Sequence, residues 1–275
     1  MAKEVIHDLL GYEGMKIIQR PDMFNFSLDS TLLADFVIPL SKTSKILDLG
    51  TGNAPIPLFL SMKTKAKIIG IEIQEDVFDL AKRSIELNNL ENQISILNMD
   101  IKGIHKKFEN GEFDIVTCNP PFFKYKESSH TNRTDYKTIA RHEVLITLED
   151  IIIESKRLLT TKGNLVMVHR TERLIEIVNL LSKHKFAVKR LRLVYSKKGE
   201  ESNMVLIDAT NNGQPGLKIL EPLYVHENGS YSEEVKRIFN FGKEWWYAKT
   251  KKFSKWLFYT LPCIYSNRKS WWYVI

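Results

Sequence analysis

The sequence predicts an α/β fold built on a mostly parallel seven-stranded sheet whose last strand is antiparallel. Three observations carry this. Short apolar runs alternate with stretches at helical spacing, the pattern of strands joined by crossover helices. The first such run feeds directly into a glycine turn and a helix. The last two runs are joined only by Lys197–Ser202, too few residues for a crossover helix, so they must pair antiparallel.

The elements follow in order. Residues 29–40 read as a helix with Asp29 or Ser30 as N-cap and Leu32, Leu33, Phe36 and Val37 on one face. Ile46–Leu49 is a buried strand, and a helix begins by Leu58. Lys67–Ile73 is the second strand, and Val77, Leu80, Ala81 and Ile85 repeat at helical spacing. Ile94–Asn98 and Phe113–Cys118 are the third and fourth strands. Thr147 caps a helix from Leu148 to Leu159, with Asp150 in the capping-box position. Asn164–His169 is the fifth strand, followed by a helix carrying Leu174, Ile177, Val178 and Leu181. Ala187–Tyr195 and Asn203–Ala209 complete the sheet.

Composition is that of a globular chain: 275 residues, 43% hydrophobic and 27% charged, which argues against disorder. The net charge of +7 is unevenly spread. Trp245–Ile275 holds six basic residues, no acid, all five tryptophans and eleven aromatics in total. Residues 1–244 carry 34 basic against 33 acidic side chains, so the body is near neutral. The sequence therefore divides into one domain over 1–244, with an N-terminal extension over 1–28, and a tail over 245–275. That tail reads as an extension unrelated to the fold; its alternative role is stacking on single-stranded RNA. Two cysteines, Cys118 and Cys263, cannot build a disulfide framework or a zinc cluster, and no metal site is expected. Without a signal-like segment or a run long enough to span a bilayer, the chain is expected to be cytoplasmic.

The stretch Ile46–Ala54 is a strand running into Gly50-Thr51-Gly52 and a helix. Glycines let the backbone approach a ligand closely, and the helix start offers unpaired N–H groups. Twenty residues after Gly52, Glu72 ends the second strand, where a carboxylate can accept both hydroxyls of a ribose. Asp100, after the third strand, can accept an adenine amino proton. Together they describe a slot for an adenosine moiety. The turn lacks the third glycine of the dinucleotide fingerprint, and Asp48 would repel a pyrophosphate but tolerate an ammonium or its bound water. S-adenosylmethionine is thereby favoured over NAD.

Asn119-Pro120-Pro121-Phe122 follows the fourth strand and is the most specific signal. Each proline forces its predecessor into extended geometry. The stiff backbone can then aim the Asn119 amide oxygen and the Pro120 carbonyl at one point, where two acceptors hold a planar NH2 group. Such bonds expose the nitrogen lone pair for attack on a sulfonium methyl, and Phe122 can stack on the substrate ring. Two basic patches, Lys124–Arg141 and Lys185–Lys198, are the candidate RNA contacts. The first lies in a long connection, Phe123–His142, that reads either as a mobile lid contacting RNA phosphates or as plain disorder. His7, His105 and His169 are isolated and read as structural or surface residues.

On these motifs, residues 1–244 resemble Rossmann-like class I S-adenosylmethionine-dependent methyltransferases that methylate amino groups. More narrowly they resemble the bacterial tRNA(Val) adenine-37 N6-methyltransferase family, through Leu9–Tyr12, Lys16–Gln19, Phe24–Asp29, Arg141-His142-Glu143 and Pro222-Leu223. The resemblance implies that Phe26, Ser27, Asp48, Gly50, Gly52, Asn53, Glu72, Ile73, Asp100, Ile101 and Asn119 bind S-adenosylmethionine. It implies that Asn119–Phe122 hold the target adenine and that Lys124, Arg133, Arg141 and His142 bind the tRNA partner. Ala54 stands where many members have glycine. Other acceptors of the same chemistry are guanine N2 in rRNA, adenine in DNA and a protein glutamine; a non-catalytic nucleotide-binding module is the alternative of another class.

Overall fold

The computed structural model describes residues 3–9, 12–23, 28–122 and 146–239, all within the unit Met1–Asn240. An antiparallel hairpin comes first, β1 (Val5–Leu9) with β2 (Tyr12–Gln19). Then come α1 (Leu28–Phe36), β3 (Lys45–Leu49), α2 (Pro55–Lys63), β4 (Lys67–Glu72), α3 (Glu75–Leu87), β5 (Ile94–Asn98) and β6 (Phe113–Cys118). After residue 145 follow α4 (Leu148–Leu158), β7 (Leu159–Arg170), α5 (Leu174–Lys183), β8 (Phe186–Lys197) and β9 (Ser202–Asn211). Short strands β10 (Lys218–Ile219), β11 (Leu223–Glu227) and β12 (Ser230–Tyr231) precede α6 (Glu233–Phe239).

The main sheet has the order β12-β11-β8-β9-β7-β6-β3-β4-β5, with β10 also on β8. Its seven long strands are those read from the sequence, and β9 alone among them runs antiparallel, between β7 and β8. Beyond them the structure adds β10, β11 and β12 at the β8 side, so the sheet has ten strands among the described residues. Two of the additions are two-residue strands, too short to leave a periodic signal. Burial explains the centre. Ile46, Leu47 and Leu49 of β3 are fully enclosed, as a parallel strand covered on both faces requires.

Several boundaries differ from the expectation for identifiable reasons. Helix α1 stops at Phe36, short of residue 40, because Pro39 cannot continue it. Its final carbonyls are met by Lys63, whose Nζ donates to the backbone oxygens of Ala34, Asp35 and Val37 at 2.8, 2.6 and 2.6 Å. Asp29 and Ser30 both lie inside this helix, which begins at Leu28, so neither is its N-cap. Helix α2 starts at Pro55 because first-turn N–H groups have no intrahelical partner for proline to forfeit. Thr147 and Asp150 form the expected capping box.

The N-terminal extension contains the β1–β2 hairpin, which is fastened to α3. Ile18 donates its N–H to Ser84 Oγ at 3.0 Å, and Asn88 exchanges bonds with both backbone groups of Lys16. Arg83 grips Glu4 through two 2.7 Å bonds. These contacts hold the hairpin against α3.

The basic run along β8 divides: Arg190 and Arg192 are taken up within the fold, while Lys185, Lys197 and Lys198 remain exposed. Arg190 pairs with Asp208 at 2.7 Å, donates to the Phe36 carbonyl at 2.9 Å and lies 4.3 Å over the Phe36 ring. Arg192 pairs with Glu234 at 2.8 Å and bonds the Glu221 carbonyl. Lys189 donates to the Gln214 carbonyl and Lys197 pairs with Glu200. Arg190 thus joins β8, β9 and α1. Its replacement by alanine leaves the buried Asp208 carboxylate unpaired, and Arg190→Ala is expected to lower stability by about 3 kcal/mol or more in urea denaturation.

Candidate active site

Strands β6, β3, β4 and β5 are parallel neighbours, so their C-terminal ends open on one edge of the sheet, the usual ligand edge of such folds. Asp48, the Gly50–Asn53 turn, Glu72, Ile73, Asp100, Ile101 and Asn119 all fall on that edge.

The turn after β3 is held in left-handed geometry at alternate residues, with φ of 69°, 58° and 69° at Gly50, Gly52 and Ala54. Thr51 N–H bonds the Ile71 carbonyl at 2.8 Å, tying the turn to β4. Gly70 permits that approach, since a Cβ there would meet Thr51 Oγ1 at 2.9 Å and Ile96 Cδ1 at 2.8 Å. The Asn53 side chain donates to the Ile18 carbonyl at 2.9 Å and so locks the hairpin to the turn.

Glu72 is buried and its two oxygens are held by different loops. Oε2 accepts from Gly52 N–H at 3.0 Å and Oε1 from Gln74 N–H at 2.9 Å. Burial pushes its carboxyl above the ordinary value, and the backbone bonds pull the other way. Ile73 N–H and the Gln74 side chain also hydrogen-bond this carboxylate. Asn98 donates to the carbonyls of Glu72 and Ile73 and fixes the ends of β4 and β5 together. Ile73 is 38% exposed at this edge and offers an apolar face. Asp100 is exposed and accepts from Lys102 N–H at 2.8 Å, which leaves its other oxygen outward.

Asp48 is enclosed. It accepts from Thr51 Oγ1 at 2.7 Å and Thr117 Oγ1 at 2.6 Å, and burial lifts its carboxyl to about 7. The carboxylate therefore couples the glycine turn to β6 just ahead of Asn119. Asn119 is half-buried and its Nδ2 donates to Ser30 Oγ at 3.3 Å, an orientation that frees the amide oxygen. Pro120 is buried, while Pro121 and Phe122 are partly exposed.

Four contributors were not singled out in the sequence for this site: Ser30, Thr117, Arg173 and His169. Arg173 donates to the Phe122 carbonyl at 3.3 Å and pairs with Glu176 at 2.8 Å. His169 is buried with its ring 5.5 Å from that of Phe122. It was read as an isolated histidine, and no local pattern reveals it because Phe122 is distant in sequence. Phe26, Ser27, Lys124, Arg133, Arg141 and His142 lie outside the described residues, as does the 245–275 tail.

A family model described as the methyltransferase small domain matches residues 15–199. The chain belongs to the methyltransferase small domain family. A relative from Porphyromonas gingivalis, named tRNA1(Val) (adenine(37)-N6)-methyltransferase, is 28% identical over 70% of this chain and 76% of its own length. One of the same name from Photobacterium profundum is 24% identical over 76% of this chain and 86% of its own. The structure of a predicted O-methyltransferase from Agrobacterium tumefaciens matches with a TM-score of 0.61 at 22% identity, covering 77% of this chain and 95% of that one. That likeness concerns the fold, which is the class I methyltransferase fold.

Membership implies S-adenosylmethionine as methyl donor, and the edge fits it. A buried carboxylate at the end of β4 suits ribose hydroxyls, the exposed Ile73 suits a purine face, and Asp48 suits a nearby cation. No group of side chains among the described residues could hold a metal ion.

Two outcomes follow from this geometry. Ala54 pays for its left-handed backbone, so Ala54→Gly should leave the melting temperature unchanged or raised, whereas Ala54→Val should cost about 2 kcal/mol or more. His169 is pushed down from 6.5 to about 4, chiefly by burial and then by Arg173, with Arg170 in the same direction and Glu176 opposing. The unfolded chain then binds a proton that the folded chain refuses, so this contribution is complete above pH 6.5 and lost as pH falls to 4. Urea denaturation at pH 7 and 4.5 should show about 2 kcal/mol of that loss in the wild type and much less in His169→Gln.

Proposed function

We propose that this chain transfers a methyl group from S-adenosylmethionine to the exocyclic N6 of an adenine in tRNA, at position 37 of the anticodon loop. The observation that carries the reading is the Asn119-Pro120-Pro121-Phe122 turn, next to the glycine turn on one sheet edge, with the Asn119 amide oxygen free. The names of the relatives support tRNA and position 37. A loop base suits the site because it avoids most of the cost of unpairing a duplex.

S-adenosylmethionine supplies a methyl group on a positively charged sulfur. Glu72 holds the ribose hydroxyls, Asp100 and Ile73 the purine, Ile101 packs beside them, and Asp48 balances the ammonium. The backbone of Gly50, Gly52 and Asn53 lets the ligand come close. Asn119 Oδ1 and the Pro120 carbonyl accept the two N6 hydrogens, which fixes the amine and directs its lone pair. Phe122 stacks on the adenine, and Ser30 and Arg173 hold the two ends of this turn. No strong base is needed, because a methylated ammonium is acidic enough to lose its proton to water. Catalysis therefore comes from alignment.

Asn119→Ala should reduce methyl transfer by at least about a hundredfold while changing S-adenosylhomocysteine affinity little, since one of two amine acceptors is lost. Labelled methyl transfer to total tRNA, DNA and protein, followed by nucleoside analysis, tests the substrate. N6-methyladenosine in tRNA supports the reading; label confined to DNA or protein overturns it.

A further inference from the structure

Folded interiors leave few polar atoms without a partner, and one that persists calls for a reason. His169 is fully enclosed near the end of β7, and its Nε2 has no hydrogen-bond partner. Nδ1 accepts from Arg170 N–H at 2.8 Å, so the neutral ring carries its proton on Nε2. An apolar side chain would fill this place without leaving a buried donor unpaired. The ring beside it is that of Phe122, with centres 5.5 Å apart and planes tilted by 52°. That separation lies in the range of attractive ring pairs, and an aromatic face accepts an N–H weakly.

A neighbouring element supplies a second hold. Strand alternation puts His169 on the face of Met167, and His169 pairs in register with Val205. Met167 and Val205 belong to the core that includes Ile177 and Leu181 of α5. Arg173, at the start of α5, is itself buried. Its Nε and Nη2 donate to the two Glu176 oxygens at 3.1 and 2.8 Å, a fork that fixes the guanidinium. Its Nη1 then donates to the Phe122 carbonyl at 3.3 Å. Phe122 is thus held at its ring by His169 and at its backbone by Arg173.

We propose that His169 and Arg173 are positioning residues that preset the Phe122 ring as the platform for the target adenine. His169 is enclosed, so it acts through Phe122 without touching the substrate. A ring already ordered spares the entropy that ordering it on binding would cost. The inference rests on the adenine N6 reading above.

The test measures kcat/KM of the full chain on an anticodon-loop oligonucleotide carrying the target adenine. It is a double-mutant cycle with Phe122→Leu, which removes the ring but keeps an apolar side chain. In the wild-type background His169→Ala should lower kcat/KM about tenfold, mainly through KM, within the range of one base–aromatic stack. His169→Phe, which keeps a ring against Phe122, should restore most of that loss. In the Phe122→Leu background the same His169→Ala change should cost less than about twofold. S-adenosylhomocysteine affinity should stay constant throughout. Equal losses in the two backgrounds mark a merely structural histidine and overturn the proposal, as does an unchanged kcat/KM in His169→Ala. No methylation by the wild type overturns the underlying function instead. Should His169→Ala fail to fold, Arg173→Met takes its place in the cycle with Arg173→Lys as the rescue, and equal losses in both backgrounds again overturn the proposal.

Discussion

The Glu72 carboxylate is the constraint on which the site depends. It sits buried at the end of β4 and takes one backbone N–H from the turn after β3 and one from the turn after β4. Those bonds set where the glycine turn runs. Thr51, within that turn, bonds both Ile71 and Asp48, and Asp48 bonds Thr117 on β6. From Thr117 the chain reaches Asn119 at the strand end. A continuous path of short bonds thus relates the ribose side of the site to the amine-holding side. Two carboxylates are buried along it, and burial raises both above their ordinary range. Such a site is poised to gain from a ligand bearing hydroxyls and a positive charge.

Much of this was legible because it is local. Three of the four strands that form the edge, β3, β4 and β6, are mostly buried apolar runs, and Asn119-Pro120-Pro121-Phe122 restricts its own backbone whatever surrounds it. The glycine turn and Glu72 could be read from spacing alone. What could not be read is pairing between distant residues. The β1–β2 hairpin carries exposed residues along most of β1 and gains its place from Ser84, Asn88 and Arg83 on α3. Strand β7 begins at Leu159, ahead of the expected Asn164, because Phe113 pairs with Leu159 across a register shift. His169 became meaningful only when β6 and β7 were adjacent.

Charge illustrates the same limit. A run of lysines and arginines along β8 suggested a cationic face, yet Arg190 and Arg192 spend their charge on Asp208 and Glu234 and hold α1 and α6 to the sheet. Lys185, Lys197 and Lys198 stay exposed at and beside the ends of that strand, so one sequence run divides into internal struts and surface charges.

The most direct measurement is the affinity of S-adenosylhomocysteine for Glu72→Gln and the wild type by titration calorimetry. The substitution keeps the shape of the side chain but removes its charge and sets an NH2 group against one of the two N–H donors. The account predicts at least about a tenfold loss of affinity, the scale of a charged hydrogen bond, with the protein still folded. Equal affinities in the two proteins would contradict it.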